Sequence, residues 1–168
     1  PELFAKWLDR KRAAFSKEGV AWQALSSEKV TSKEKTGFKR LDDGTWLTSG
    51  RPAAKETYVV EADLAPGLLT AVRLETLPDD THPGKSLGRS SNGNFVLSAF
   101  EVRLKTADGK TTNLPLVKAE ADYDQPGWSI AKLGPAPMTK GKAKKADSSK
   151  AGWAIGGNAP ENRVPRKA

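Results

Sequence analysis

The sequence has no cysteine, one histidine and one methionine among its 168 residues. Without cysteine, the chain cannot form disulfides, thiolate zinc sites, iron–sulfur clusters or the C-x-x-C-H attachment of a c-type haem. No apolar run approaches the roughly 18 residues that a membrane-spanning helix needs. We therefore expect no redox cofactor within this chain and no membrane span.

The single histidine, His82, lies in a segment rich in turn-forming residues, near Asp79 and Asp80. A histidine without a second ligand or a base partner is more often a surface residue than a catalyst. The sequence also lacks a nucleophile elbow, a phosphate-binding loop and paired carboxylates at a recognisable spacing. These observations predict that the protein is not an enzyme.

Positive charge is concentrated in one short stretch of a chain whose net charge is +8. Residues 139–150, TKGKAKKADSSK, hold five lysines and one aspartate. The stretch has no apolar period, which predicts a basic, solvated and flexible loop. A basic arm that follows phosphates is the alternative, but no aromatic side chain lies between the lysines to stack on bases, so nucleic acid is not an expected partner.

In residues 1–19, apolar side chains recur at helical spacing, and Gly19 ends the pattern. This segment is predicted to be an amphipathic helical connector whose apolar face carries Phe4, Trp7, Leu8, Ala14 and Phe15. Residues 20–168 are predicted to form one β-sandwich module after it.

Short β-rich segments recur about every ten residues after the connector, which is typical of an antiparallel sandwich. VAWQAL at 20–25 is the first predicted strand, and the polar residues 26–37 are predicted to be a connection. Asp42, Asp43 and Gly44 predict a hairpin turn, and residues 106–110, TADGK, predict a second one. Further strand candidates are TYVVEADL, LLTAVRLETL, TNLPLVKAEADY, WSIAKL and AGWAIGG.

Residues 94–104 alternate in a way that predicts one central strand, and the long glycine-rich loop 78–93 precedes it. Loops of this length tend to be functional or disordered. We expect Asn92 and Asn94 to pin the loop by bonding to backbone groups, with Arg89 folding back over the start of the strand. Asp79 and Asp80, with the two asparagines, could instead hold a structural calcium, although turn formation is the favoured interpretation.

Four motifs, VRLETLPDD, GRSSNGNFVLSAFEV, AEADYDQPGW and GWAI, resemble in order and spacing the β-sandwich module of planctomycete-type cytochrome c domain proteins. The resemblance covers about residues 40–158. It implies a jelly-roll, galactose-binding-like fold within a large exported polypeptide, periplasmic or extracellular, whose haem lies in a separate domain. The sequence departs from the family pattern at Trp46, where smaller residues are usual, and at Ala99, where Glu is frequent.

Five tryptophans provide flat apolar faces that suit sugar rings. Trp7, Trp22 and Trp153 are assigned to packing, whereas Trp46 and Trp128 follow turns and are the better candidates for exposure. Sugar hydroxyls also need polar partners, and the predicted polysaccharide site comprises Trp46, Trp128, Arg89, Asn92, Asn94 and Asp124. The alternative function is a structural module that docks the haem and neighbouring domains of its parent protein.

The sequence begins at Pro1, and it ends without the GRFRLS-like segment that supplies a further strand in proteins resembling this one. An uncovered central strand would leave unpaired N–H and C=O groups and an exposed apolar face. We therefore expect a module that continues beyond residue 168 in the parent protein, with its sandwich completed by another segment of polypeptide.

Overall fold

The computed structural model describes residues 6, 22–25, 27–65, 67–133 and 149–168. The regular secondary structure of this part of the chain is mostly strand with few helical residues, which confirms the prediction of a mainly-β protein. It divides into two compact units, Pro1–Gly67 and Leu68–Ala168. We call them the first and the second unit. The sequence analysis does not anticipate this boundary.

The first unit contains two antiparallel strand pairs. Strand β1 pairs with β4, and β2 pairs with β3 across the predicted turn, where Gly44 has a φ of 84°. The side chain of Asp43 accepts a 2.9 Å hydrogen bond from the backbone N–H of Thr45, so the hairpin at residues 42–44 is confirmed. The strands are β1 (Ser27–Ser32), β2 (Gly37–Arg40), β3 (Trp46–Ser49) and β4 (Tyr58–Ala62).

The second unit is built from short strands joined by turns and by single-turn 3-10 helices. Its strands are β5 (Glu75–Thr76), β6 (Val96–Leu97), β7 (Val102–Lys105), β8 (Thr111–Leu114), β9 (Trp128–Ser129), β10 (Lys150–Ala151), β11 (Trp153–Ala154) and β12 (Arg166–Lys167). The 3-10 helices are Pro83–Lys85, Ile130–Leu133 and Pro160–Asn162.

Pairing in the second unit joins strands that are far apart in sequence. Strand β5 pairs with β12, β6 with β11, and β7 with β8, all antiparallel, whereas β9 and β10 are parallel. The β7–β8 hairpin turns at the predicted residues 106–110, with Gly109 at a φ of 84°. The described strands of both units form six two-stranded ladders, so the jelly-roll arrangement stays a prediction.

The core of the second unit is centred on Trp153, which is completely buried. Leu87, Ile130 and Ile155 pack in the same cluster, and the ring of Phe95 meets the Trp153 ring edge-on at a centroid distance of 5.3 Å. The indole N–H of Trp153 donates a 2.8 Å hydrogen bond to a backbone carbonyl, so its one polar group is satisfied. The assignment of Trp153 to packing is confirmed.

The predicted single strand at residues 94–104 is wrong. The structure divides it into β6 and β7, which pair with different partners, and residues 98–101 between them lie outside any strand. Alternation fixes which side chains share a face but not which ladder the backbone joins. Phe100, which a continuous strand would place on the same face as Val96 and Val102, is exposed in this connection.

Two predictions for residues 20–37 are also wrong. The polar residues 27–32 form β1, because Val30 and Thr31 lie opposite Val60 and Val59 of a strand that provides their apolar neighbours. Residues 22–25 belong to no strand, and Trp22 is 43% exposed rather than packed. The predicted helix of residues 1–19 with Trp7, apart from Lys6, and positions 139–148 of the basic loop lie outside the described residues.

Candidate functional site

Asn94 fastens the end of the long loop to the core of the second unit. Its side-chain oxygen accepts hydrogen bonds from the backbone N–H groups of Phe95, Ile155 and Gly157, at 2.9, 3.3 and 3.5 Å. Its side-chain nitrogen donates to the side-chain oxygen of Gln125 at 2.9 Å. One asparagine therefore satisfies backbone donors that the short β6–β11 ladder leaves unpaired, which confirms the predicted pinning role.

Asn92 closes the turn just before Asn94. Its side-chain oxygen accepts a hydrogen bond from the Asn94 N–H at 3.1 Å and another from the Ser90 hydroxyl at 2.6 Å. The backbone N–H of Gly88 donates to the carbonyl of Gly93 at 3.0 Å, which closes the loop on itself. The side-chain oxygen of Asn92 therefore stabilises the turn through backbone and hydroxyl hydrogen bonds, as predicted for this residue.

Glycines allow the loop backbone to lie directly against the backbone that follows β11. A Cβ on Gly157 would lie 2.1 Å from the carbonyl oxygen of Gly93, and one on Gly88 would lie 2.2 Å from that of Asn94. Contacts this short cannot accommodate any side chain. Residues 92–94 (NGN) and 156–157 (GG) therefore form one packing contact, although Asn94 and Gly157 are 63 residues apart in sequence.

Two other predicted ligand residues lie near this contact. Asp124 accepts a hydrogen bond from the Ile130 N–H, which is 3.3 Å from each of its carboxylate oxygens, so Asp124 caps the 3-10 helix at Ile130. Arg89 is half-buried beside the buried Gly88. Its predicted role in locking the loop stays a prediction.

Asp79 and Asp80 are held by neighbours within the loop. Asp79 accepts a hydrogen bond from the Thr81 N–H at 2.8 Å, and the Thr81 hydroxyl and this N–H keep the pKa of Asp79 below its usual value. Asp80 forms an ion pair with Lys85 at 3.1 Å. Across residues 27–65, 67–133 and 149–168, no three His, Asp or Glu side chains are grouped as a metal site would require.

A shallow polar depression lies beside these residues, with a volume of about 500 Å³. Its lining combines two carboxylates, Asp79 and Asp80, with two cations, Lys85 and Arg163, and also includes Pro78. Arg163 is fixed there by a 3.0 Å hydrogen bond from its Nε to the carbonyl of Gly157. His82 is half-buried, with its Nδ1 3.2 Å from the carbonyl oxygen of Ser86, so the histidine contacts the loop backbone.

Trp128 is half-buried in the second unit and has a cation over its ring. The Lys150 ammonium lies 5.3 Å from the ring centroid, within the range of a cation–π interaction. β9 and β10 align these two residues, because Lys150 is the register partner of Trp128. A Cβ on Gly152 would be 3.2 Å from the Cε3 atom of Trp128, so this glycine lies against the ring edge.

Trp46 is half-buried in the first unit and also has a cation beside it. The guanidinium carbon of Arg40 lies 6.0 Å from the Trp46 ring centroid. The ring of Phe38 meets Trp46 nearly at a right angle, with the centroids 6.5 Å apart, and Tyr58 meets Phe38 in the same way at 5.3 Å. The two predicted tryptophans therefore belong to separate aromatic–cation pairs, one in each unit.

The sequence analysis missed Arg40, Phe38 and Tyr58. The hairpin turn at residues 42–44 contains the signal that could have found Arg40, because a short loop fixes the register and places Arg40 opposite Trp46. The proximity of Tyr58 to Phe38 could not be read in this way, since these residues lie in different ladders.

Comparisons with known proteins identified no relative of this chain. No protein-family model matches the chain, and the searches of curated proteins and of solved structures found no match. Within the described residues, no helix is both long enough and apolar enough to cross a membrane.

Proposed function

We propose that the chain is a non-catalytic carbohydrate-binding-like module that binds polysaccharide weakly. The observation that supports this function best is the pairing of each predicted tryptophan with a cation, Trp46 with Arg40 and Trp128 with Lys150. On the resemblance of its motifs, the module belongs to a large exported cytochrome-type protein with its haem in another domain. This chain would supply binding and no redox chemistry.

The chemistry of the two pairs suits sugars. An indole face covers the apolar C–H groups of a pyranose ring, while ammonium and guanidinium groups donate hydrogen bonds to hydroxyl or carboxylate oxygens. Shallow surface contacts of this kind bury little ligand area, so the expected dissociation constant is about millimolar to micromolar.

The proposed site is narrower than the set predicted from sequence. Asn92, Asn94 and Asp124 use their side-chain oxygens to hold the loop and to cap a helix. Asn94 and Asp124 accept from part-buried N–H groups, which would be left unpaired if these side chains turned to a ligand, whereas Asn92 uses its oxygen to close an exposed turn. Binding is therefore assigned to the tryptophan–cation pairs, and these three residues are assigned to the scaffold.

Affinity gel electrophoresis on a panel of neutral and acidic polysaccharides tests the proposal. We expect at least one polymer to retard the protein, and we expect Trp46→Ala or Trp128→Ala to abolish the retardation. Trp22→Ala is the matched control, because Trp22 is an exposed tryptophan outside both pairs. No retardation by any polymer, or equal loss in all three variants, would contradict sugar recognition at these pairs.

A second candidate function is a docking module for the haem and neighbouring domains of the parent protein. All five residues of β4 are exposed, and Val60 in this strand is 59% accessible. Soluble monomers seldom leave so many large apolar side chains in water, and open strand edges pair readily with other chains. The exposed set also includes Leu68, Leu77, Val96, Phe100, Leu104, Val117 and Val164.

Hydrophobic-dye fluorescence and sedimentation separate the docking function from sugar binding. A docking module studied alone should bind the dye or self-associate, because its apolar strands lack the partner that covers them. A monomer that melts cooperatively and leaves the dye unbound would contradict docking, and it would leave the sugar-binding proposal standing.

A further inference from the structure

One face of the β2–β3 hairpin gathers the aromatic residues and a cation of the first unit. Residues directly opposite each other in an antiparallel pair share a face, and successive residues alternate between faces. Phe38 lies opposite Thr48 and Arg40 opposite Trp46, so these four side chains share one face. Lys39, opposite Leu47, lies on the other face.

The aromatic rings on this face form a row that fixes the position of Trp46. Tyr58 contacts Phe38 edge-to-face, and Phe38 contacts Trp46 in the same manner, with interplanar angles of 82° and 84°. Such edge-to-face pairs are stabilising beyond the area that they bury. Trp46 is therefore held by neighbours on its own unit while part of its surface stays in contact with solvent.

Arg40 extends the row at the end next to the turn. Its side chain is exposed, and its guanidinium group lies near the Trp46 ring. No carboxylate among the described residues forms an ion pair with Arg40. A guanidinium group is a planar fork that binds a carboxylate through two parallel hydrogen bonds, which an ammonium group cannot do.

We infer that this face binds an acidic polysaccharide, with a uronate ring against Trp46 and its carboxylate on Arg40. The inference rests on the proposed carbohydrate-binding function and assigns it a substrate class and a site. Charge complementarity selects a uronate over a neutral sugar, because Arg40 supplies a positive charge with which no carboxylate of the described residues forms an ion pair. An aromatic ring beside a guanidinium group matches the apolar ring and the anionic group of one uronate residue.

The interpretation that competes with this one is a small hydrophobic cluster that only stabilises the first unit. That interpretation explains Phe38, whose ring lies between two others, but it gives no role to the charge of Arg40. The two interpretations therefore differ in what they predict for a substitution that removes the charge and leaves the aromatic row intact.

Isothermal titration calorimetry with polygalacturonate and with its methyl-esterified form provides the test, because the two polymers differ in charge and share a sugar backbone. We expect the protein to bind polygalacturonate about tenfold more tightly than the ester, the loss expected when a charge-assisted bidentate contact is removed. Arg40→Gln should remove this preference. Lys39→Gln is the matched control, since it changes the net charge equally on the opposite face and should alter affinity less than about twofold.

The variants also separate the ring from the charge. Trp46→Ala should weaken binding to both polymers. Trp46→Phe keeps an aromatic ring in the row and should retain part of the affinity, so it replaces the alanine variant in the test if that variant unfolds. Thermal melting of each variant checks that the first unit is folded. Trp22→Ala, which removes a tryptophan outside both tryptophan–cation pairs, should leave the affinity for polygalacturonate unchanged.

Three results would overturn the inference. Equal affinity for the two polymers would remove the acid specificity but leave the sugar-binding function in place. Equal losses in Arg40→Gln and Lys39→Gln would show attraction by net charge, to which the lysine-rich residues 139–150 also contribute. Binding to neither polymer, together with no retardation by any other polysaccharide, would overturn both the inference and the proposed function.

Discussion

The side-chain oxygen of Asn94 accepts a hydrogen bond from the backbone N–H of Ile155, 3.3 Å away and 61 residues later in the chain. Ile155 is completely buried, so water cannot replace Asn94 as the acceptor. This bond joins the end of the long loop to the core strand region that contains Trp153. Asn94 therefore bonds the end of the loop directly to the backbone of the core.

Asn94→Ala should destabilise the protein by about 2–3 kcal/mol, because it leaves buried N–H groups at Ile155 and Gly157 without their acceptor. Urea unfolding monitored by tryptophan fluorescence measures the change. Asn113→Ala is the control, since Asn113 is an exposed residue of β8 and should cost less than about 0.5 kcal/mol. Equal effects of the two substitutions would contradict the pinning role of Asn94.

Gly157→Ala should destabilise the second unit more than Gly109→Ala does. A Cβ at residue 157 would meet the carbonyl of Gly93 at 2.1 Å, whereas one at residue 109 has nothing within 4 Å. The Gly109 substitution carries only the cost of a left-handed backbone, about 1 kcal/mol. Thermal melts compare the two variants. A smaller loss for Gly157→Ala would mean that the loop and the core backbone are not in close contact.

Glu56 joins the β1–β2 turn to the segment before β4. Its carboxylate accepts hydrogen bonds from the Thr36 hydroxyl at 2.7 Å and from the backbone N–H groups of Glu34 and Thr57 at 3.0 and 2.7 Å. Burial raises the pKa of Glu56, but these hydrogen bonds outweigh it and lower the pKa to about 2. The folded state therefore stabilises the ionised form of the Glu56 carboxylate.

The stability of the first unit should fall as pH falls. A pKa of about 2 in the folded state, against an ordinary value of 4.5, means that the contribution of Glu56 is present above pH 4.5 and is lost as pH falls towards 2. Glu56→Gln should cost about 1–2 kcal/mol at pH 7 and less at pH 3. Chemical unfolding at both pH values measures this. An equal cost at both would contradict the role of the charge.

Arg89→Ala should lower stability by about 1–3 kcal/mol if Arg89 braces the loop, which is the cost of leaving buried polar groups unsatisfied. Arg89 is half-buried, between the buried Gly88 and the exposed Ser90. Differential scanning calorimetry gives the change. An unchanged melting temperature together with lost polysaccharide retardation would assign Arg89 to the ligand instead.

Local chemistry determined the features that the sequence predicted correctly. Asp43 and Gly44 specify a hairpin turn because Asp bonds to the backbone two residues on and Gly adopts a positive φ at no steric cost. Gly109 acts in the same way at the second hairpin. The turn-closing role of Asn92 was predictable for a similar reason, since asparagine beside glycine in a loop bonds to nearby backbone. The partners of Asn94 at Ile155 and Gly157 were not predictable in this way, because they lie 61 and 63 residues away.

Tertiary structure decided which segments pair and which side chains meet. Residues 27–32 are polar, yet they form β1 because Val59 and Val60 lie beside them, and residues 94–104 alternate regularly, yet they break between two ladders. A period of two determines faces, whereas partners depend on contacts between residues far apart in sequence. The sequence by itself thus determined the turns, the buried Trp153 and the mainly-β class. Only the folded chain placed Arg40 beside Trp46 and Lys150 over Trp128, because these contacts depend on strand register.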